Sequence, residues 1–177
     1  MSTPRARADD TERLSRWVRE HGRPLLGFLQ AMTRDPHAAE DLLQEVFCRA
    51  WEARERYEDT GRERGYLLRI ADRLVRDRRR QSGRETPVDD VRWQTIEPAG
   101  DDATPVEVLA QLESEHQLAQ ALDALSELQR RTLLMKYYGQ LEFHEIAEQL
   151  DCPLNTALSH ARRGLLALRR LLVEKSS

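Results

Sequence analysis

The chain has 177 residues, a third of them charged, with a formal net charge of −3 and only two cysteines. That excludes a disulfide-built secreted scaffold and points to a reducing, cytoplasmic setting. No apolar run reaches membrane-spanning length, which excludes membrane insertion by a helix, and the start lacks a signal-peptide core.

The charge is unevenly placed. Residues 1–81 carry 18 basic and 15 acidic side chains, net +3. Residues 82–107 are net −5 and residues 108–177 net −1. A lone DNA binder draws most of its affinity from a broad basic surface, which this chain lacks.

Residues 1–10, MSTPRARADD, read as a short disordered tail. Leu14, Trp17, Val18, Leu25, Leu26, Leu29 and Met32 then recur at helical spacing, with a break expected near Gly22–Pro24. A second helix opens with Asp35 as N-cap and Pro36 at its first position. Its apolar face is Ala39, Leu43, Val46, Phe47, Ala50 and Trp51. Asp41, Gln44, Glu45, Cys48 and Glu52 project outward. Such a face either is simply solvated or meets a basic protein partner.

Thr60 and Glu63 have capping-box spacing before a third helix with the stripe Leu67, Ile70, Ala71 and Leu74. Arg69, Asp72, Arg76 and Arg79 are expected outward, with Arg73 and Arg80 beside them. Arginine at that density suits a nucleic-acid backbone. Tyr57 and Tyr66, at the approaches to this helix, are placed either to stack on unpaired bases or to fill the core.

Residues 82–107 hold proline, glycine and acid without periodicity, and read as a linker. Trp93 within it is expected to rest against a neighbouring domain. A helix from Val108 to Leu125 follows, then one opened by a Ser126–Gln129 capping box and stopped near Gly139.

Residues 145–164, EIAEQLDCPLNTALSHARRG, have the spacing of a helix-turn-helix with its corner at Asp151–Pro153. The last helix is expected to bury Ala157, Ala161, Leu165 and Leu168. Thr156, Ser159 and Arg163 then face away, flanked by Asn155, Arg162 and His160, residue types that suit base edges and phosphates. The fold class is all-α: two small helical domains, 11–81 and 108–177, joined by a flexible acidic linker. The five histidines have no ligand spacing among themselves or to Cys48 and Cys152, no phosphate loop or nucleophile constellation is present, and neither metal nor other cofactor nor catalysis is expected.

Three stretches taken in order resemble a known family. AAEDLLQEVFCRAW is similar to the segment of bacterial sigma factors that docks on the polymerase clamp helices. GYLLRIADRLVRDRRR resembles their helix for promoter melting and −10 reading, and EIAEQLDCPLNTALSHARRGLLALR their −35 reader. Order, short linker and lack of an intervening domain resemble the extracytoplasmic-function (ECF) group. The resemblance implies core RNA polymerase and promoter DNA as partners, and often an anti-sigma protein that clamps both domains. It implies polymerase docking by Asp41, Gln44 and Glu45, and −10 contacts by Arg64, Tyr66, Arg69, Arg73, Arg76, Arg79 and Arg80. The loop from Glu58 to Gly65 falls where relatives capture an unstacked base. Asn155, Thr156, Ser159, His160, Arg162 and Arg163 fall at the −35 element. Arg73 stands where the family commonly has asparagine, and Leu158 and His160 where it has lysine and arginine. A stand-alone helix-turn-helix regulator and an inactive sigma-like binding module are the competing readings; neither a repressor nor any other lone DNA binder has use for the acidic face.

Overall fold

The computed structural model describes residues 4–58, 61–83 and 120–175, with side chains described over 10–58, 61–83 and 120–171. Every regular element among these residues is helical. Two compact units result, one built on the first three helices and the other on the last three.

Helix α1 runs unbroken over Pro4–Thr33. Two expectations are thereby corrected. Gly22–Pro24 does not interrupt the helix, since Pro24 is accommodated within it. The segment read as a tail is helical from Pro4, and its last residue is held: the Asp10 carboxylate accepts from Arg13 Nη2 at 2.9 Å and meets Arg54 Nε at 3.2 Å. Charge pairing, invisible to a hydropathy scan, extends the helix toward the N-terminus.

Helix α2 spans Pro36–Glu52. The Asp35 side chain accepts from the backbone N–H groups of His37 and Ala38 at 3.0 and 3.2 Å, with Pro36 next in line, as expected. Removing such a cap leaves orphan donors and costs about 1 kcal/mol. Asp35→Ala is therefore expected to lower the midpoint of thermal unfolding by a few degrees (about 2–8 °C), measured by circular dichroism.

Helix α3 spans Glu63–Gln81. Its N-cap is Arg62 and Glu63 is the first helical residue; Thr60, expected to form a box with Glu63, lies outside the described residues. Glu63 meets Arg16 Nη2 of α1 at 3.4 Å.

The core of this unit joins Trp17, Leu25, Phe28, Leu29 and Met32 of α1 to Ala39, Leu42, Val46 and Ala50 of α2. Leu67, Leu68, Ala71, Leu74 and Val75 of α3 complete it. Leu43, Phe47 and Trp51 are only half-buried, because the α2 stripe turns toward Ala38 and Leu42.

In the second unit, only residues 120–125 of the helix expected over Val108–Leu125 are described, and they are helical to residue 123. Helix α4, Glu127–Tyr137, starts with the expected reciprocal box. Ser126 N donates to Gln129 Oε1 at 3.2 Å and Gln129 N to Ser126 Oγ at 3.4 Å. Beyond its end, the left-handed backbone falls on Gln140 (φ 52°), not Gly139.

Helix α5, Phe143–Leu150, and helix α6, Leu154–Lys175, enclose the expected three-residue corner. Asp151 adopts φ 51°, ψ 49°, the left-handed region that Asp tolerates better than most residues, and its N–H returns to α5 carbonyls. Gly164 of α6 faces Leu133 of α4 so closely that an added Cβ would stand 2.9 Å from Leu133 Cδ1. A glycine there leaves room for the Leu133 side chain, which a Cβ would force to shift. The linker from residue 84 onward, Trp93 included, lies outside the described residues.

Candidate nucleic-acid and partner interfaces

The outward face of α2 is as expected. Asp41, Gln44, Glu45, Cys48 and Glu52 are all exposed. Glu45 is joined to Arg49 at 2.8 Å across one helical turn, a surface pair that orients the side chain but contributes little stability. Leu43, Phe47 and Trp51 border this face half-buried, and Arg54 stacks on Trp51 with 4.4 Å to the ring centre. The result is an acidic strip with an apolar margin, suited to a basic protein surface.

Helix α3 turns differently from the expectation. Leu68 and Val75 are buried where Ile70 is half-buried, which rotates the inward face by about 50° at 100° per residue. Asp72 is thereby carried inside, at 2% exposure, where Arg76 Nε meets its carboxylate at 3.3 Å. Arg79 is carried inward as well. Its Nη2 donates to Met32 O at 2.8 Å, satisfying a carbonyl in the last turn of α1. Arg79 thus has a structural task in place of a free outward one. Arg69, Arg73, Arg76 and Arg80 make the true outer row, at intervals of four, three and four residues. Arg69 and Arg73 are exposed and make no ion pair among the described residues, while Arg80 leans on Asp77 at 2.7 Å.

Tyr66 and Tyr57 resolve toward packing. Their rings lie 4.7 Å apart, and Trp17 stands edge-on to Tyr57 at 4.9 Å and tilted to Tyr66 at 6.0 Å. Burial raises the Tyr66 hydroxyl above its ordinary pKa. Arg64, expected at the −10 element, is half-buried and near enough to act electrostatically on His21. In the loop from Glu58 to Gly65, Glu58, Gly61 and Arg62 are exposed, Gly61 at φ 69°, and residues 59–60 lie outside the described residues.

His21 carries a consequence that sequence reading missed. It is buried, and neither ring nitrogen has a hydrogen-bond partner among the described residues. Burial lowers its pKa below 6.5; Arg64 and Arg16 add to the shift, and Glu20 and Glu63 oppose it. The folded domain therefore resists protonation that the unfolded chain accepts. Stability is full above about pH 6.5 and is lost as the pH falls toward the lowered folded value. Melting followed at pH 7.5 and pH 5 is expected to show this loss. His21→Leu is expected to reduce it, leaving the contribution of His160, which has the same sign.

In α6 the buried stripe is Ala157, Ala161, Gly164 and Leu168, with Leu165 only half-buried. Substituting Gly164 for Leu165 in the stripe rotates the inward face by about 25°. Thr156 consequently turns its hydroxyl inward, where it is buried without a partner among the described residues. Ser159 is half-buried and its Oγ donates to Asn155 O at 2.7 Å. Asn155 is exposed, and His160, Arg162 and Arg163 are half-buried. Burial, then Arg163, lowers the His160 pKa, which favours the neutral ring. The exposed residues that sequence reading did not assign are Leu154 and Leu158, 46% and 41% accessible.

Cys152 is half-buried and burial raises its thiol pKa, which disfavours a redox role; Cys48 is exposed. Among the described residues no group of three or more His, Cys, Asp or Glu could hold a metal ion. Nor is any helix among them long and apolar enough to cross a membrane.

The chain's two units match known families in the same order. Residues 17–85 match Sigma-70 region 2 and residues 115–168 match Sigma-70 region 4. The ECF RNA polymerase sigma factor SigK of Mycolicibacterium vanbaalenii is 28% identical over 148 residues, covering 82% of this chain and 74% of the relative. SigX of Bacillus subtilis is equally similar, covering 82% and 76%. In fold, the chain is similar to the sigma factor RpoE of Bartonella quintana, solved with the anti-sigma factor NepR, at a TM-score of 0.68 and 21% identity. That match covers 89% of this chain and 95% of the other. It is also similar to CnrH, solved with the cytosolic domain of CnrY, at a TM-score of 0.65 and 20% identity, covering 93% and 90%. Two family regions in order, relatives matched over about three quarters of their length and an all-α architecture agree, and the chain belongs to the ECF group of bacterial RNA polymerase sigma factors.

Proposed function

We propose that this sigma factor works through three separate faces. It binds core RNA polymerase and directs promoter-specific initiation. The single observation that carries the residue-level reading is the charge separation in the first unit. An acidic outer face on α2 and an arginine row on α3 belong to one small helical body. One face suits a protein partner and the other a nucleic acid, a division that a stand-alone DNA binder does not need.

In this reading Asp41, Gln44 and Glu45 dock on polymerase. Arg69, Arg73, Arg76 and Arg80 meet the −10 DNA, with Arg64 at the edge of that surface, Tyr66 bracing it and Arg79 holding α3 against α1. Residues 11–81 form the docking and −10 domain, 82–107 the tether, and 108–177 the −35 domain. Helix α6 enters the major groove with its N-terminal half, and Arg162 and Arg163 steady it on phosphates. The protein works in the cytoplasm and supplies no catalytic chemistry of its own. An anti-sigma protein is a third partner, by likeness to relatives solved with theirs.

Electrophoretic shift of a promoter duplex, with and without core polymerase, tests this division of labour. The full chain is expected to form a stable complex only when core polymerase is present. Equal affinity with and without it would support the stand-alone regulator.

A further inference from the structure

Helix α6 presents less polar chemistry to a groove than its sequence promises. The Thr156 hydroxyl is turned inward and the Ser159 hydroxyl proton is donated to Asn155 O. Burial, then Arg163, disfavours the charged form of His160. What its first two turns do expose is Asn155 together with Leu154 and Leu158, at 46% and 41% accessibility. Leu154, Leu158 and Arg162 are four residues apart, so they form one row that begins apolar and ends cationic. Leu166, also exposed, lies about 12 Å further along the axis from Leu158, away from the end that enters a groove.

An apolar group in a major groove has one complementary feature to meet, the thymine C5-methyl, which no other base presents there. The neighbouring Arg162 and Arg163 supply the charge that a phosphate backbone on either side of those methyls requires. The two leucines are about 6 Å apart along the helix axis, against about 3.4 Å per base-pair step, so they reach base pairs no more than about two steps apart.

We propose that Leu154 and Leu158 read thymine methyl groups in the upstream promoter element, and that Leu158 is a specificity-determining residue of this sigma factor. The inference rests on the reading of α6 as the −35 helix. It replaces phosphate or polar readout at position 158 by discrimination of thymine from every base without a methyl.

The test uses holoenzyme assembled from core polymerase and the full chain. Duplexes are selected from a library randomised upstream of −10, and each enriched thymine is then replaced by deoxyuridine, which lacks only the methyl. The wild type is expected to enrich thymine at one or two nearby positions and to lose about four-fold in affinity for each methyl removed there. Leu158→Ala, which alters an exposed position and keeps a strong helix former, is expected to lose the methyl preference at one of these positions, and Leu154→Ala with Leu158→Ala to bind both duplexes equally. Arg163→Ala is expected to weaken both duplexes alike and keep the methyl preference. Indifference of the wild type to deoxyuridine, or a methyl preference left unchanged in Leu158→Ala, would overturn the proposal. Weakened association with core polymerase in Leu158→Ala, with unchanged DNA selection, would make the leucines a protein contact and overturn it too. Failure of the wild type to enrich any upstream element would remove the −35 reading itself.

Discussion

Asp41→Arg combined with Glu45→Arg is expected to weaken binding to core polymerase by about 100-fold, or about 3 kcal/mol, while the protein stays folded. Both residues are exposed on α2 and neither contributes to the core, so reversal leaves packing untouched. The fold's loss is limited to the Glu45–Arg49 pair, worth a few tenths of a kcal/mol, and the like charges that replace it. At an interface the same change converts attraction into repulsion, where charge pairs carry several kcal/mol. Titration of labelled core polymerase, with circular dichroism as the folding control, measures both. Unchanged affinity in the double variant would remove α2 as the docking face.

The second large effect belongs to the arginine row. Arg69→Ala with Arg73→Ala is expected to lower affinity for promoter DNA by about ten-fold or more at low salt. It is also expected to reduce the slope of log affinity against log salt by about 1.4–1.8, since each phosphate contact contributes about 0.7–0.9. Arg79→Ala supplies the contrast. Its guanidinium is committed to Met32 O, so its loss is expected to destabilise the domain without a matching change in salt slope. Fluorescence anisotropy of holoenzyme on labelled promoter DNA, over a salt series, separates the two behaviours. An unchanged slope after removal of Arg69 and Arg73 would mean that this row does not touch phosphate.

The difference between Arg73 and Arg79 shows where the sequence is informative and where it stops. Helix existence was legible from apolar recurrence, and the Asp35 and Ser126 caps from local chemistry, because each depends on residues a few positions apart. The helix-turn-helix corner was legible for the same reason, with Asp151 and Pro153 breaking one helix before another starts. Rotation of a helix about its axis was not. In α3, choosing Ile70 over Leu68 and Val75 as the buried edge sends Asp72 and Arg79 to the wrong side. In α6, choosing Leu165 over Gly164 exposes a Thr156 hydroxyl that is in fact turned inward. Gly164 has no hydrophobicity to announce it. It is buried because Leu133 of another helix needs the space, which is a fact about packing rather than about pattern. The start of α1 failed for a related reason, since Asp10 is held by Arg54, which lies 44 positions away.

The outward face expected on α2 stays outward because its five exposed residues tolerate a modest rotation. The outward face expected on α6 changes, because Thr156 and Ser159 offer one hydroxyl each. A face defined by many like residues is robust to an error in phase, and a face defined by single groups is not. The exposure of Leu154 beside Leu158 became visible only once the polar groups around them had been placed.

Run-off transcription with purified core polymerase tests the central claim most directly. The template carries a promoter located by mapping transcription starts after overexpression of this protein. The wild-type chain is predicted to yield one transcript of defined length that core polymerase alone does not make, and the Asp41→Arg, Glu45→Arg variant to yield none while remaining folded. Absence of any promoter-specific transcript with the wild type, or an undiminished transcript with the variant, would contradict the account.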